Sequence, residues 1–325
     1  MNPCYLNLTV DTAIALPARD GLAESVHVID EESILAINAA LATGRPLLVR
    51  GEPGTGKSQL ARAAAEALNW AFVPHAVDSR TETRDLLWSV DAVTRLAEAQ
   101  LVGALSGLTD ADVKQRLSIL RFVQPGPMWW AFDWTSALAQ AQAVSMTPPA
   151  SPSEGTAQRG VVVLIDEIDK ADPSVPNGLL DALGHGRFDV PGRTPVAMKP
   201  DCRPLIVITT NEDRALPDAF LRRCLVLHLS LPEARDTLLK TLMARGRAHF
   251  PAKQCSNAVL KKAAELLVTD REQLRQRDLA APGLAEYIDL IGAVSQQKTG
   301  DREQLALLSR IAKFALRKHP PELAR

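Results

Sequence analysis

Apolar residues recur along this chain in two rhythms, and the balance between them changes once. Over residues 30–42, Ile34, Leu35, Ile37, Ala40 and Leu41 return at helical spacing. Pro46 then opens a short all-apolar run, Leu47-Leu48-Val49, that predicts a buried strand. A glycine-rich loop and an Ala-rich helix over 58–68 follow, and 71–77 is a second strand. Residues 82–120 are helical in pieces broken near Gly103 and Gly107, 122–127 is a loop, and 128–144 returns to helix. Residues 161–165 form an unbroken apolar run of the kind buried on both faces of a parallel sheet. Residues 172–183 are helical, 188–196 predict a hairpin with Pro191-Gly192 at its turn, and 205–208 and 225–229 are further strands. After Pro232 the strand signals stop, and helical patterns run over 233–246, 258–268, 283–294 and 302–317. Strands alternating with helices, then helices alone, predict an α/β domain over residues 1–230 and an all-helical domain over 231–325.

Composition changes this picture little. A chain of 325 residues is long for one core, which agrees with a large domain and a smaller one. Lys plus Arg is 37 against 38 for Asp plus Glu, a net charge of -1, so the basic excess usual in a protein that grips nucleic acid is missing. Cys4, Cys202, Cys224 and Cys255 are scattered without a CxxC pair, which fits neither a zinc site nor a disulfide framework but does fit a reducing cytosol. The first residues lack a basic leader and the apolar runs are too short for a bilayer, so a cytoplasmic protein without a membrane span is expected. Residues 147–160 (TPPASPSEGTAQRG) are rich in Pro, Ser and Gly and predict a mobile surface insertion.

Candidate chemistry begins at Gly51-Glu52-Pro53-Gly54-Thr55-Gly56-Lys57-Ser58, which fits GxxxxGK[ST] in full. An apolar strand precedes it and a helix follows, the context that the mechanism requires. Gly54 and Gly56 let backbone N–H groups turn inward toward phosphates, and the following helix adds its positive end. Lys57 is placed to reach the β- and γ-phosphates, Ser58 to offer its hydroxyl to Mg²⁺, and Gln59 to line the same site.

The 161–165 strand runs into Asp166-Glu167, putting two acids at the carboxyl edge of a sheet, where open α/β folds bind ligands. Asp166 is expected in the Mg²⁺ shell and Glu167 beside the attacking water. Asp169 and Asp172 read as solvated residues at a helix start, with Asp172 a cap before Pro173. Asn211 follows another strand, where a γ-phosphate contact and a plain turn former are both open readings. Arg222 and Arg223 end a short helix starting near Pro217, a position that dipole complementation alone would explain.

In this order the residues resemble an AAA+ ATPase and, more narrowly, the MoxR branch. The branch resemblance rests on Arg84-Asp85-Leu86-Leu87, Gly126-Pro127-Met128, Asp166-Glu167-Ile168-Asp169-Lys170-Ala171 and the segment from Leu216-Pro217-Asp218 to Arg222-Arg223. It implies a P-loop domain with a five-stranded parallel sheet of order 5-1-4-3-2, a helical lid, and a hexameric ring holding ATP between subunits. It implies Asn211 as sensor 1 and Arg222 or Arg223 as the finger completing a neighbour's site. It also implies a von Willebrand A-domain protein as partner in remodelling or activating a protein complex. Two departures stand out. Ala281-Pro282-Gly283 occupies the place of a Ser-Pro-Arg segment, so either Arg277 or another basic residue substitutes for the lid arginine, or the lid signals nucleotide state weakly. The long interval from Lys57 to Asp166 makes residues 88–124 and 147–160 insertions.

Trp88, Trp129, Trp130 and Trp134 cluster around the first insertion, with Trp130 and Trp134 four apart on one helix face. Core packing is the expected role, and a partner-binding patch the competing one. Two other functions compete with remodelling: a nucleic-acid-directed or restriction-type P-loop motor, which the near-neutral charge disfavours, and a slow nucleotide-gated scaffold in a bacterial defence or signalling system.

Overall fold

The computed structural model of the chain describes residues 5–19, 21–105, 107–150, 160–199, 203–277 and 279–316. It begins with a hairpin for which the apolar rhythm has no clear sign: β1 (Thr12–Leu16) lies antiparallel to β2 (Ser25–Ile29). Each strand turns only two residues inward, and one of these is His27, so alternation is too short and too polar to read. Helix α1 (Glu31–Thr43) is bounded by strong local signals. Asp30 accepts the Ser33 N–H at 2.8 Å as N-cap, and Gly44 ends the helix in the left-handed region at φ 67°.

Strand β3 (Leu47–Arg50) leads into the glycine loop and α2 (Lys57–Leu68) leaves it, followed by β4 (Ala71–Ala76). The next stretch corrects the sequence reading twice. Helix α3 (Thr83–Leu87) is followed by strand β5 (Trp88–Val90), then α4 (Ala92–Ala104) and α5 (Asp110–Arg116). The supposed loop 122–127 contains β6 (Val123–Pro125), which pairs antiparallel with β5. The chain leaves and re-enters the body at one place, and three-residue strands are too short to show a period. Gly126 donates its N–H to Leu87 O at 3.0 Å, and a Cβ on Gly126 would lie 2.7 Å from Asp85 O. That close approach demands glycine.

The supposed helix 128–144 is two helices, α6 (Pro127–Phe132) and α7 (Trp134–Ala143), broken at Asp133. The Asp133 carboxylate caps α7 by accepting the Ser136 N–H and pairs with Lys199 at 2.8 Å. A cap and an ion pair outweigh helix continuity there. Of the stretch 147–160, residues 151–159 lie outside the described residues, while Gly160 is buried: a Cβ on it would lie 2.4 Å from the Trp70 ring.

Strand β7 (Val161–Asp166), α8 (Ser174–His185), the short antiparallel pair β8 (Arg187–Phe188) and β9 (Val196–Ala197), and β10 (Leu205–Thr210) follow. Helix α9 (Asp218–Leu221) and β11 (Leu225–His228) close this part. Four long helices follow among the described residues: α10 (Arg235–His249), α11 (Asn257–Arg275), α12 (Leu284–Gln297) and α13 (Asp301–Ala315). The central sheet is all parallel in the order β11-β3-β10-β7-β4. Counted as five core strands in chain order, that is 5-1-4-3-2, as the resemblance implies.

The register explains why β7 reads as continuously apolar. Val161, Val163 and Ile165 face a core containing Trp129, Trp130 and Phe132, while Val162 and Leu164 face a second core beneath α1 and α2. Trp129 and Trp130 are fully buried, and the Trp130 and Trp134 rings meet edge-on at 4.8 Å across the helix break. The core role therefore holds for this pair. The C-terminal helices enclose a third core around Leu242, Leu260, Tyr287, Ile291 and Leu308. Cys224 and Cys255 are buried free thiols, and burial pushes Cys224 up to about 12.

A candidate nucleotide site at the ends of three strands

Parallel packing brings the carboxyl ends of β3, β7 and β10 together, and the polar residues that end or follow these strands meet there. Gly51, Gly54 and Gly56 all have positive φ, at 149°, 76° and 96°. Gly51 is the most constrained of the three, because an added Cβ would sit 2.2 Å from Leu229 O. Lys57 is folded back across this turn, its Nζ donating to Gly51 O at 2.7 Å and Glu52 O at 2.9 Å. Burial lowers its pKa, and Asp166 and then Asp169 oppose the shift.

Ser58 Oγ lies 2.8 and 2.9 Å from the two oxygens of Asp166. Thr209 bridges the two strands: its hydroxyl donates to Asp166 Oδ1 and accepts the Glu167 N–H at 2.9 Å. Glu167 itself stands at φ 60°, ψ 51°, a left-handed conformation rare for a residue with a side chain. The turn aims its carboxylate away from the strand, where Oε1 accepts from Asn211 Nδ2 at 2.9 Å and Oε2 from Lys170. Backbone strain at a carboxylate held on both oxygens is the pattern of a functional position.

A cavity of about 320 Å³ opens over these groups. It is lined by Pro53, Gly54, Gly56, Lys57, Ser58 and Gln59, and by Asp166, Glu167, Thr209 and Asn211. Gly51, Glu52 and Thr55 shape the loop from behind and do not line the cavity. Arg222 and Arg223 do not line it either. Both side chains are exposed, and Arg45 holds the carbonyls of Arg222, Arg223 and Cys224. The segment bearing them is fixed, facing solvent.

Several contributors have no sequence signal. Thr209 reads as one more residue of a β-branched strand end. His249, Leu284, Ala285, Ile288 and Asp289 reach the cavity from the C-terminal helices, far away in sequence. Asp169 is a correction: only 3% exposed rather than solvated, with Oδ2 accepting the Asp213 N–H at 3.1 Å. Asp172 does act near the start of α8, accepting the Ser174 N–H at 2.9 Å.

A parallel sheet of this order, with a GxxxxGK[ST] loop after β3 and an acidic pair at the end of β7, two strands away, defines a P-loop nucleotide-binding fold of the AAA+ type. Residues 46–224, more than half of the chain, match the AAA domain of the dynein-related subfamily, and the chain belongs to that family. Solved structures similar to it include the RuvB Holliday junction branch migration motor of Thermotoga maritima, at 15% identity and TM-score 0.42, covering 86% of this chain and 67% of that one. A mutant form of the same RuvB gives 15% identity and TM-score 0.43, covering 86% and 68%. No curated protein sequence matches the chain significantly. Among the described residues, no helix is long and apolar enough to cross a membrane.

Proposed function

We propose that this protein binds ATP with Mg²⁺ in the cavity over the phosphate loop and hydrolyses it as one subunit of a ring, in the manner of the MoxR branch of AAA+ ATPases. Residues 1–230 serve as the nucleotide-binding domain and 231–325 as a helical lid, with 88–124 and 147–160 inserted in the first. The observation carrying this reading is the line of contacts from Ser58 through Asp166, Thr209 and Glu167 to Asn211, which joins three strand ends at one cavity.

The donors suit the ion. Ser58 and Asp166 present hard oxygens to each other, and Mg²⁺ is usually held by one or two protein oxygens together with substrate phosphates. When bound, it would offset charge on the phosphates. The loop N–H groups and Lys57 would bind the phosphates, Lys57 exchanging its two carbonyl partners for them. Glu167 would accept a hydrogen bond from the attacking water and polarise it, while Asn211 holds the carboxylate in place. Arg222 and Arg223, facing outward on a fixed segment, would reach a neighbouring subunit's nucleotide, which makes the working unit a ring, a hexamer by the same resemblance.

The work of that ring is to remodel, activate or assemble a partner protein complex in the cytoplasm, with a von Willebrand A-domain protein as the partner. The closeness of Gly126 to Leu87 supports the MoxR reading, because the two segments flanking the insertion adjoin. Lys57→Ala should abolish ATP binding. Glu167→Gln should keep binding and lower turnover by about 10²-fold or more, the range for loss of a general base. Equilibrium binding and phosphate release measure the two effects. Wild-type binding by the first variant, or wild-type turnover by the second, would remove that residue from the site.

A further inference from the structure

Glu52 carries a negative charge into the loop that is to receive a polyphosphate. Two arginines of α11 meet it. Arg271 donates to Glu52 Oε2, and Arg275, one turn along the same helix face, donates to Oε1 at 2.9 Å. Partial burial pushes the Glu52 carboxyl up, but hydrogen bonds from Arg271 and then Arg275 outweigh it and hold the group below its ordinary value. Arg271 is 2% exposed, and its other nitrogen donates to Pro282 O at 2.9 Å, in the turn before α12. Ala285 in the first turn of α12 then donates its N–H to Gly54 O at 3.1 Å. The C-terminal helices thus grip the phosphate loop at two points, Glu52 and Gly54.

These helices contribute His249, Leu284, Ala285, Ile288 and Asp289 to the cavity, and no arginine or lysine among the described residues lining it. Their cationic link to the loop therefore runs through Glu52. We propose that Glu52, Arg271 and Arg275 form a charge latch by which the C-terminal helices hold the phosphate loop ready for nucleotide, with Arg271 and Arg275 as positioning residues that do not touch the nucleotide. Swinging the helices away would break both pairs and leave an unpaired negative charge on the loop that binds the phosphates. Nucleotide affinity and helix position are then coupled, and the coupling acts in both directions. The proposal rests on the reading of the cavity as a nucleotide site.

The test is equilibrium binding of a fluorescent non-hydrolysable ATP analogue with Mg²⁺, using the full chain and checking each variant's folding by thermal melting. Arg275 is partly exposed, so Arg275→Glu should fold. It should weaken binding by about tenfold, the scale of coupling between neighbouring charges, and the loss should shrink at high salt. Glu52→Gln alone should weaken binding less than Arg275→Glu does, because it gives up the charge pairs but leaves no bare carboxylate on the loop. Added to Arg275→Glu, it should recover most of the lost affinity, because the carboxylate that repels the phosphates is gone. A merely structural defect, such as repulsion from Glu233, which lies 4.0 Å from Arg275, would not respond to Glu52→Gln. Unchanged binding by Arg275→Glu, or no recovery in the double variant, would overturn the latch. Lys57→Ala separates the two levels: if it binds the analogue normally, the nucleotide reading itself falls, and if it does not bind while Arg275→Glu does, only the latch falls.

Discussion

His27 shows how one residue can impose a condition on the whole fold. It sits on the inner face of the N-terminal hairpin, 4% exposed, with its ring against Gly56 of the phosphate loop. Burial, followed by repulsion from Arg245, lowers its pKa from 6.5 to about 4, with Asp30 opposing and His249 adding to the shift. The unfolded chain therefore takes up a proton below about pH 6.5, whereas the folded chain resists it down to about pH 4. Folding is stabilised least where that difference is complete, so stability should fall as pH drops through this window, by up to roughly 3 kcal/mol from His27 alone. His75 and His249, also lowered by burial, act in the same direction. Urea unfolding at pH 7.5 and pH 5 would show this, and His27→Gln should flatten part of the slope. An equal slope in the variant would mean that His27 is not the group responsible.

The elements differ in what decides them. Helix α1 carries its own start and stop signals in Asp30 and Gly44, and β7 its own burial in five consecutive apolar residues. The β5–β6 ladder and the break between α6 and α7 come instead from what surrounds them. Trp129 and Trp130 belong to that second group: the sequence leaves open whether they serve a core or a partner, and packing against β7 makes them core. Trp130→Ala should cost about 3–5 kcal/mol, the range for truncating a buried aromatic. Chemical denaturation would measure this, and a loss below 0.5 kcal/mol, typical of surface positions, would mean that the ring is not packed as described.

At the scale of the assembled molecule, the exposed arginine pair makes a prediction of its own. If Arg222 or Arg223 completes a neighbour's site, activity per subunit should rise with protein concentration. Arg222→Ala with Arg223→Ala should keep ATP binding but lose on the order of 10³-fold in rate, as for other arginine fingers. Mixing that variant with Glu167→Gln should restore hydrolysis, because some interfaces then pair an intact Glu167 with intact arginines. No recovery in a mixture shown to co-assemble would place the arginines in their own subunit or in a structural role.

The phosphate loop, the acidic pair, the asparagine and the five core strands are legible in the sequence because each depends on neighbours within a few residues. Gly54 and Gly56 are needed by the local turn, and an apolar run followed by acids marks a strand end whatever lies beside it. The order of the strands could be expected only through resemblance, since strand pairing is a relation between distant segments. Tertiary structure alone decided that Thr209 bridges Asp166 and Glu167, that Asp169 is buried, and that α12 lines the cavity. It also brings Arg271 and Arg275 of α11 to the phosphate loop, where they reach Glu52 across more than two hundred positions of chain. A charge pair at that separation leaves no local pattern, because each member alone reads as an ordinary charged residue of its own helix or loop.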